Sequence, residues 1–172
     1  MKVKEAMKRR VITLRPEDSL RQAVAAFARH GISGAPVIDG KGRVVGILTE
    51  MDILRRLEIG SMELGPRKRP SGAAMGDNGT GLRFKTLPES LEGAGDLPVS
   101  RVMTPAVVTA RPGDPIQEKA ALMVHRRIRR LPVVDGRGRL VGILSRKDLI
   151  RTLVEKRAEK RKRKPGKGGS RG

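Results

Sequence analysis

Apolar and polar residues follow one another in a pattern that occurs twice in the chain. In each copy two short apolar runs flank an Asp-Gly pair, and the second run leads into a Gly-Ile-Leu-(Thr/Ser)-x-x-Asp segment. Asp-Gly between apolar runs favours a tight β-hairpin. The copies lie at residues 36–52 and 132–148, and at the same offset of 96 positions 22 of the 55 residues of 3–57 are identical to those of 99–153. The pattern therefore predicts an internal duplication.

Each copy predicts the element order β-α-β-β-α. In the first copy Asp18 or Ser19 caps a helix that Gly31 ends, and in the second Asp114 or Pro115 opens the equivalent helix. The spacing of apolar residues places one face of each helix on the core: Leu20, Ala23, Val24, Phe27 and Ala28, then Ile116, Ala120, Met123 and Val124. The predicted strands are 11–14, 35–38, 44–48, 107–110, 131–134 and 140–144, and the closing helices start at residues 50 and 146.

The predicted organisation has four parts. Residues 1–59 form the first repeat and residues 99–154 the second. Between them residues 60–98 hold many glycines and prolines without a sustained period, which predicts a linker. Residues 155–172 form a basic extension, in which the last helix runs to Lys164 before Pro165-Gly166 and a flexible end.

Composition limits the possible functions. The chain has no cysteine and only two aromatic residues, so disulfides and thiolate metal sites are excluded and a reducing cytoplasm is expected. No apolar run approaches the ~20 residues of a membrane span. Arginine outnumbers lysine by 25 to 13, an indication of a thermophile. We find no nucleophile elbow, P-loop, metal-ligand spacing or other catalytic constellation, and His30 and His125 are expected at helix ends.

Charge is the most unusual feature of the composition. The formal net charge is +20 in 172 residues, and by count about +6 falls on residues 1–57, about +7 on 99–150 and about +8 on 151–172. Such an excess predicts a polyanionic partner.

The repeats resemble the CBS-domain family. The resemblance rests on Gly46–Asp52 and Gly142–Asp148, on the preceding Pro-Val-(Ile/Val)-Asp segments, and on Val102-Met103-Thr104-Pro105 at the entry to the second repeat. The first copy departs from this entry with Ala6-Met7-Lys8-Arg9. The resemblance implies an α/β (α+β) fold in which two repeats pack with pseudo-two-fold symmetry as a CBS pair, or Bateman module. It also implies two clefts for adenosyl ligands such as AMP, ADP, ATP or S-adenosylmethionine, and a homodimer.

Candidate nucleotide-binding residues follow from this resemblance and from the chemistry of the motif. Thr49 and Ser145 lie where a helix starts, so that a hydroxyl and unpaired backbone N–H groups can meet a phosphate. Asp52 and Asp148 can accept hydrogen bonds from ribose hydroxyls. The same Thr/Ser-x-x-Asp spacing also predicts a capping box, and both roles can hold together. The base would lie at the strand entries, beside Ile32, Ala35, Ile128, Arg130 and Leu131.

Two basic clusters are candidates for nucleic-acid binding. The first comprises Arg126, Arg127 and Arg129, with Arg130 beside the nucleotide slot; the alternative is a solvated face. The second is the run Lys160, Arg161, Lys162, Arg163 and Lys164. Such blocks bind phosphates without sequence specificity, and the lack of aromatic residues argues against base stacking.

These features lead to one main hypothesis and two alternatives. We expect a non-enzymatic regulator that senses an adenine nucleotide and docks on RNA, such as that of the ribosome, through its basic surface and tail. An acidic protein partner, such as an enzyme or transporter, is the first alternative, and DNA is the second. No cofactor and no metal are expected.

Overall fold

Each half of the chain contains a helix, a two-stranded antiparallel sheet and a second helix. The computed structural model describes residues 1–56 and 95–162. The elements, in chain order, are α1 (Leu20–His30), β1 (Gly34–Ile38), β2 (Val44–Thr49), α2 (Glu50–Arg56), α3 (Ile116–His125), β3 (Arg130–Val134), β4 (Leu140–Ser145) and α4 (Arg146–Lys162). The mixed α and β composition and the duplication are confirmed.

Helix α1 has the ends that its sequence predicts. The Ser19 side chain accepts a hydrogen bond from the Gln22 backbone N–H, and Gln22 accepts one from the Ser19 N–H, which completes a capping box. Gly31 ends the helix in the left-handed conformation, with φ of 59°. Helix α3 starts after Pro115, which provides no side-chain cap.

Both hairpins form with the predicted Asp-Gly turns. The strands pair antiparallel, with Ala35 opposite Leu48 and Leu131 opposite Leu144. In the first turn Asp39 accepts hydrogen bonds from the backbone N–H groups of Lys41 and Arg43, both at 2.9 Å. Asp135 accepts the equivalent pair in the second turn.

The first predicted strand of each repeat is reduced to one parallel bridge. Leu14 pairs with Val37, and Ala110 pairs with Val133. The backbone turns away directly after each bridge, because the next N–H, that of Arg15 or Arg111, donates to the aspartate at the start of the following helix. The predicted strands over residues 11–14 and 107–110 were therefore too long.

The leading segments of the two repeats exchange places. One compact unit comprises Ile12–Val107, called the first unit below, and the other comprises Met1–Val11 with Val108–Gly172, called the second unit. Val3 donates to the Asp114 carbonyl at 2.9 Å, and Ser100 donates to the Pro16 carbonyl at 2.9 Å. The repeats in the sequence and the units in the structure thus divide the chain differently at these segments.

Each unit has its own core around one large side chain, Phe27 in the first and Met123 in the second. Val99 is fully buried in the first core and Val3 in the second. Ala28 and Val124, which the apolar pattern placed on the buried faces, are exposed, Val124 by 70%. Each lies one residue beyond Phe27 or Met123 and so points about 100° around the helix from it.

Parts of the predicted linker and tail are described. Gly95 and Leu97 accept backbone hydrogen bonds from the start of α1, so the end of the 60–98 segment packs on the first unit. Residues 57–94 lie outside the described residues. Helix α4 continues past Leu153 to Lys162, as predicted, and residues 163–172 also lie outside the description.

Candidate functional site

Thr49 and Asp52 meet where β2 passes into α2. The Thr49 backbone N–H donates to Asp52 Oδ2 at 2.8 Å, and the Thr49 hydroxyl donates to the same oxygen at 2.5 Å. Asp52 Oδ1 accepts a longer bond of 3.4 Å from the Thr104 hydroxyl. We call Thr49–Asp52 with Thr104 the Asp52 site. Its carboxylate is half-buried.

Ser145 and Asp148 repeat this geometry between β4 and α4. The Ser145 N–H donates to Asp148 Oδ2 at 3.0 Å, and the Ser145 hydroxyl donates to it at 2.5 Å. Asp148 Oδ1 lies 3.6 Å from Lys8 Nζ and 3.6 Å from an Arg151 guanidinium nitrogen. We call Ser145–Asp148 with Lys8 the Asp148 site. The Asp148 side chain is only 3% exposed.

The motif is therefore a structural cap in both repeats. One carboxylate oxygen of each aspartate is occupied by the Thr or Ser three residues before it, which stabilises the start of the helix. The other oxygen is directed to the residue that follows Met7 or Met103. The ribose role of Asp52 and Asp148 stays a prediction, and it falls on this second oxygen.

The predicted base-binding residues divide into two kinds. Ala35 and Leu131 are fully buried in the two cores, so only their backbone is available at the strand entry. Ile32 and Ile128 are half-buried and pack against the cores, and Arg130 is half-buried at the start of β3. The residues that precede β1 and β3 lie beside the starts of α2 and α4. The Glu50 backbone N–H donates to the Ser33 carbonyl, and the Arg146 backbone N–H donates to the Arg129 carbonyl.

A methionine of the leading segment lies against the glycine of each Gly-Ile-Leu segment. A Cβ at Gly46 would overlap the Met103 sulfur, and one at Gly142 would lie 2.7 Å from the Met7 sulfur and 2.9 Å from the Lys8 carbonyl oxygen. The two glycines of the Gly-Ile-Leu segments are thus required for close approach of the exchanged leading segments. Lys8 and Thr104 were not among the predicted site residues. The signal for Lys8 was its departure from the family's entry motif.

The arginine segment after α3 is exposed and strained. Arg126, Arg127 and Arg129 are all exposed. Arg127 has φ of 54° and occupies the position that Gly31 has in the first repeat. A non-glycine residue in this left-handed region is unfavourable by roughly 1–2 kcal/mol. Arg146 Nε donates to the Ile128 carbonyl at 3.1 Å and ties this segment to α4.

Of the predicted basic run, the backbone of Lys160, Arg161 and Lys162 is helical, within α4. Arg163 and Lys164 lie outside the described residues.

A polar cavity of about 400 Å³ lies in the second unit at the turn end of the hairpin, lined among others by Arg111, Asp114, Lys119 and Asp135. Lys119 Nζ lies 2.9 Å from Asp114. The backbone hydrogen bond from Arg111, with that salt bridge, lowers the pKa of Asp114. At the equivalent place in the first unit, the Arg15 guanidinium donates a hydrogen bond to the Asp39 backbone carbonyl at 2.6 Å. The sequence did not predict this cavity.

Within residues 1–56 and 95–162 no helix is both long and apolar enough to cross a bilayer. In the same part of the chain no three acidic, histidine or cysteine side chains cluster in a way that could hold a metal ion.

Comparisons with known proteins agree with the duplicated architecture. The profile of the CBS domain matches residues 3–59 and again residues 99–155. The uncharacterized protein MJ1426 of Methanocaldococcus jannaschii is 36% identical over 155 residues, which is 90% of this chain and 92% of that protein.

Two solved structures are similar in fold. CBSX2, an Arabidopsis thaliana CBS-pair protein, was crystallised in complex with AMP; it superposes with a TM-score of 0.67 and 23% identity over 91% of this chain and 98% of its own. The CBS domain pair of protein MJ0100, in complex with 5'-methylthioadenosine and S-adenosyl-L-methionine, gives a TM-score of 0.64 and 24% identity over 91% and 98%.

Proposed function

The chain belongs to the CBS domain family, and we propose that it is a non-enzymatic regulatory module that senses an adenine nucleotide or a related adenosyl ligand. The observation that carries this proposal is the repeated Thr49–Asp52 and Ser145–Asp148 geometry, in which one carboxylate oxygen serves the helix cap and the other lies beside the side chain of Thr104 or Lys8. CBSX2 and MJ0100, which share the fold, were crystallised with adenosyl ligands.

Each site offers a similar set of groups to such a ligand. Oδ1 of Asp52 or Asp148, the oxygen that the helix cap does not use, accepts hydrogen bonds from the ribose hydroxyls. The adenine lies at the strand entry, against the half-buried Ile32 or Ile128. The Thr49 or Ser145 hydroxyl, which already donates to its aspartate, keeps an acceptor lone pair for the ligand.

Isothermal titration calorimetry with AMP tests this function. The wild-type chain is compared with Asp52→Asn and Asp148→Asn, and with the exposed acids Glu17→Gln and Glu118→Gln as charge-matched controls in the same two units. We expect at least one of the two Asp variants to lose AMP binding and the controls to bind as wild type. No binding by the wild type, or binding unchanged in both Asp variants, would contradict the proposal. The chain has no Trp or Tyr, so its concentration is measured by amino-acid analysis.

A second function, docking on RNA such as that of the ribosome, is favoured by the arginine segment. Arg127 is kept in a strained conformation that glycine adopts without strain in the first repeat, and three exposed arginines lie within four positions there. We infer that this segment and the basic end of α4 neutralise phosphates of an RNA backbone. The proposed coupling is that ligand binding alters the arginine segment through Arg146, which bonds to its Ile128 carbonyl.

The first repeat provides the matched control for this function. Replacing Arg126, Arg127, Arg129 and Arg130 by His, Gly, Ser and Gly copies the equivalent segment of the first repeat, His30–Gly34. We expect this variant to fold and to bind duplex RNA with a shallower dependence of log affinity on log salt. Binding equal to wild type would contradict a role for the segment. Equal affinity for duplex DNA would indicate DNA, and absence of both would leave an acidic protein as the partner.

We also propose a homodimer. Val124, Ile150 and Val154 are each at least 63% exposed on α3 and α4, and these two helices contact each other within the second unit. Light scattering on the wild type and on a Val124→Ser/Ile150→Ser variant tests this. A wild-type mass near 18.8 kDa would contradict it.

A further inference from the structure

One position beside each aspartate carries a different charge in the two sites. Lys8 and Thr104 are 96 residues apart and therefore equivalent in the repeats. Lys8 exchanges two backbone hydrogen bonds with Ile143, each at 2.9 Å, and Thr104 exchanges two with Ile47, at 2.9 and 3.0 Å. Their side chains approach Oδ1 of Asp148 and Asp52, respectively. The position is built in the same way twice and differs by one full charge.

The surroundings of Asp148 are cationic beyond what its carboxylate can neutralise. Lys8 and Arg151 both lie 3.6 Å from Asp148 Oδ1, yet their side chains remain 59% and 58% exposed. The single carboxylate of Asp148 can therefore neutralise only one of these two positive charges. Both cationic side chains also contact solvent. Arg146 and Lys147, the first residues of α4, are also exposed.

The surroundings of Asp52 lack this excess of positive charge. Glu50 and Met51 stand where Arg146 and Lys147 stand in the other repeat, and Thr104 stands in place of Lys8. Across the five equivalent positions the Asp148 site has four cations and one acid, whereas the Asp52 site has one cation and two acids. These positions are Lys8, Arg146, Lys147, Asp148 and Arg151, against Thr104, Glu50, Met51, Asp52 and Arg55.

We propose that this difference sorts the ligands: the Asp148 site binds the phosphate-bearing nucleotide, with Lys8 as the specificity-determining residue, and the Asp52 site takes an adenosyl ligand without phosphate groups. The inference rests on the proposed binding of adenosyl ligands at these sites. Lys8 and Arg151 offer charge-assisted hydrogen bonds to phosphate oxygens, which are stronger than neutral ones. At the Asp52 site the same phosphates would face Glu50 and Asp52, and like charges at short range disfavour binding.

Calorimetry with two probes, ATP and 5'-methylthioadenosine, tests the role of Lys8. The wild-type chain is compared with Lys8→Thr, which installs the residue of the equivalent position, and with Lys4→Thr, which removes the same charge from an exposed position four residues earlier. We expect Lys8→Thr to weaken ATP binding about tenfold or more, as for loss of one charged hydrogen bond. Its affinity for 5'-methylthioadenosine should stay unchanged, and Lys4→Thr should bind both probes as wild type.

Methionine methyl NMR identifies which site each probe occupies. Met7 lies against Gly142 at the Asp148 site and Met103 lies against Gly46 at the Asp52 site, so their methyl groups report on the two sites separately. We expect ATP to shift the Met7 signal at the lower concentration and 5'-methylthioadenosine to shift that of Met103. The exchange variant Lys8→Thr/Thr104→Lys should reduce or reverse the preference of ATP.

The outcomes separate this inference from the proposed function. If ATP shifts Met103 first, or if Lys8→Thr and Lys4→Thr weaken ATP equally, the sorting by Lys8 is wrong while adenosyl binding stands. If neither probe nor AMP binds the wild-type chain, the proposed function fails, and the inference fails with it.

Discussion

The Asp52 and Asp148 sites have the same hydrogen-bonded cap and different charges around it. In both, the aspartate accepts bonds from the backbone N–H and the hydroxyl of the residue three positions before it. The side chain beside the second oxygen is a threonine at one site and a lysine at the other. The two sites thus share the residues that hold the start of the helix, whereas the side chain beside the second carboxylate oxygen differs.

The exchanged leading segments explain how this divergence is possible. Because residues 1–11 pack with the second repeat and the residues before Val108 with the first, each site is completed by a segment from the other repeat. A substitution at position 8 therefore changes the Asp148 site and leaves the Asp52 site with its own threonine.

The largest expected effect follows from the two close-approach glycines. In Gly142→Ala the new Cβ lies 2.9 Å from the Lys8 backbone carbonyl oxygen, whereas in Gly46→Ala the nearest atoms belong to the Met103 side chain, which can move. Overpacking lowers the free energy of unfolding by roughly 1–3 kcal/mol, so we expect about 3 kcal/mol for Gly142→Ala and about 1 kcal/mol for Gly46→Ala. Urea denaturation followed by circular dichroism measures both. Equal losses would mean that the leading segments are held alike.

The second expected effect concerns the aspartates themselves. Asp148→Ala removes a buried carboxylate that Lys8 of the leading segment and Arg151 of α4 approach, and Asp52→Ala removes a half-buried one. We expect losses of unfolding free energy of about 2 and about 1 kcal/mol, respectively, from the cap and its hydrogen bonds. Without ligand, the thermal midpoints of the two variants should follow this order. The reverse order would contradict the greater burial of Asp148.

The third prediction concerns the residue in the left-handed conformation that follows each of the helices α1 and α3. Arg127→Gly relieves the positive φ and should raise the free energy of unfolding by about 1 kcal/mol. Arg126→Gly is the matched control, because Arg126 has φ of −82° and glycine there should only destabilise. Chemical denaturation measures the free energy of unfolding of both variants. Destabilisation by Arg127→Gly would show that the strain is compensated by contacts of the Arg127 side chain.

The smallest effect is one in which the two repeats should not differ. Backbone hydrogen bonds from Arg43 and Arg139 lower the pKa of Asp39 and Asp135, respectively. Because the pKa of each carboxyl is lower in the folded state than in the unfolded state, its ionisation stabilises the fold at pH values above the ordinary pKa of ~3.9. This stabilisation is lost as the pH falls through the lowered pKa of the folded state. Asp39→Asn and Asp135→Asn should therefore reduce the acid sensitivity below about pH 4 to similar extents. Guanidinium midpoints at neutral and acid pH measure this, and an effect in one repeat alone would contradict it.

Much of the local structure could be predicted because the signals are local. Ser19 with Gln22, Gly31, and the Asp39-Gly40 turn each act within a few residues, and the structure has the expected cap, helix end and hairpin. The Thr/Ser-x-x-Asp spacing also predicted the caps that Thr49 with Asp52 and Ser145 with Asp148 form. Where a competing local bond decides, as for the N–H of Arg15, the predicted strand was too long.

The exchange of segments could not be predicted, because it depends on packing between distant parts of the chain. Val3 and Val99 are identical residues at equivalent positions, and both are fully buried. Either valine suits either core by size and hydrophobicity, so the sequence holds no signal for which core receives which. The contact of Lys8 with Asp148 depends on that exchange, so it could not be predicted either.

A crystal structure of the chain with ATP and 5'-methylthioadenosine together would show directly which ligand each site binds. We predict one adenosyl ligand at each site, with ribose hydroxyls on Asp52 and Asp148 and with the ATP phosphates beside Lys8 and Arg151. Phosphates at the Asp52 site, or both ligands away from the two aspartates, would contradict this prediction.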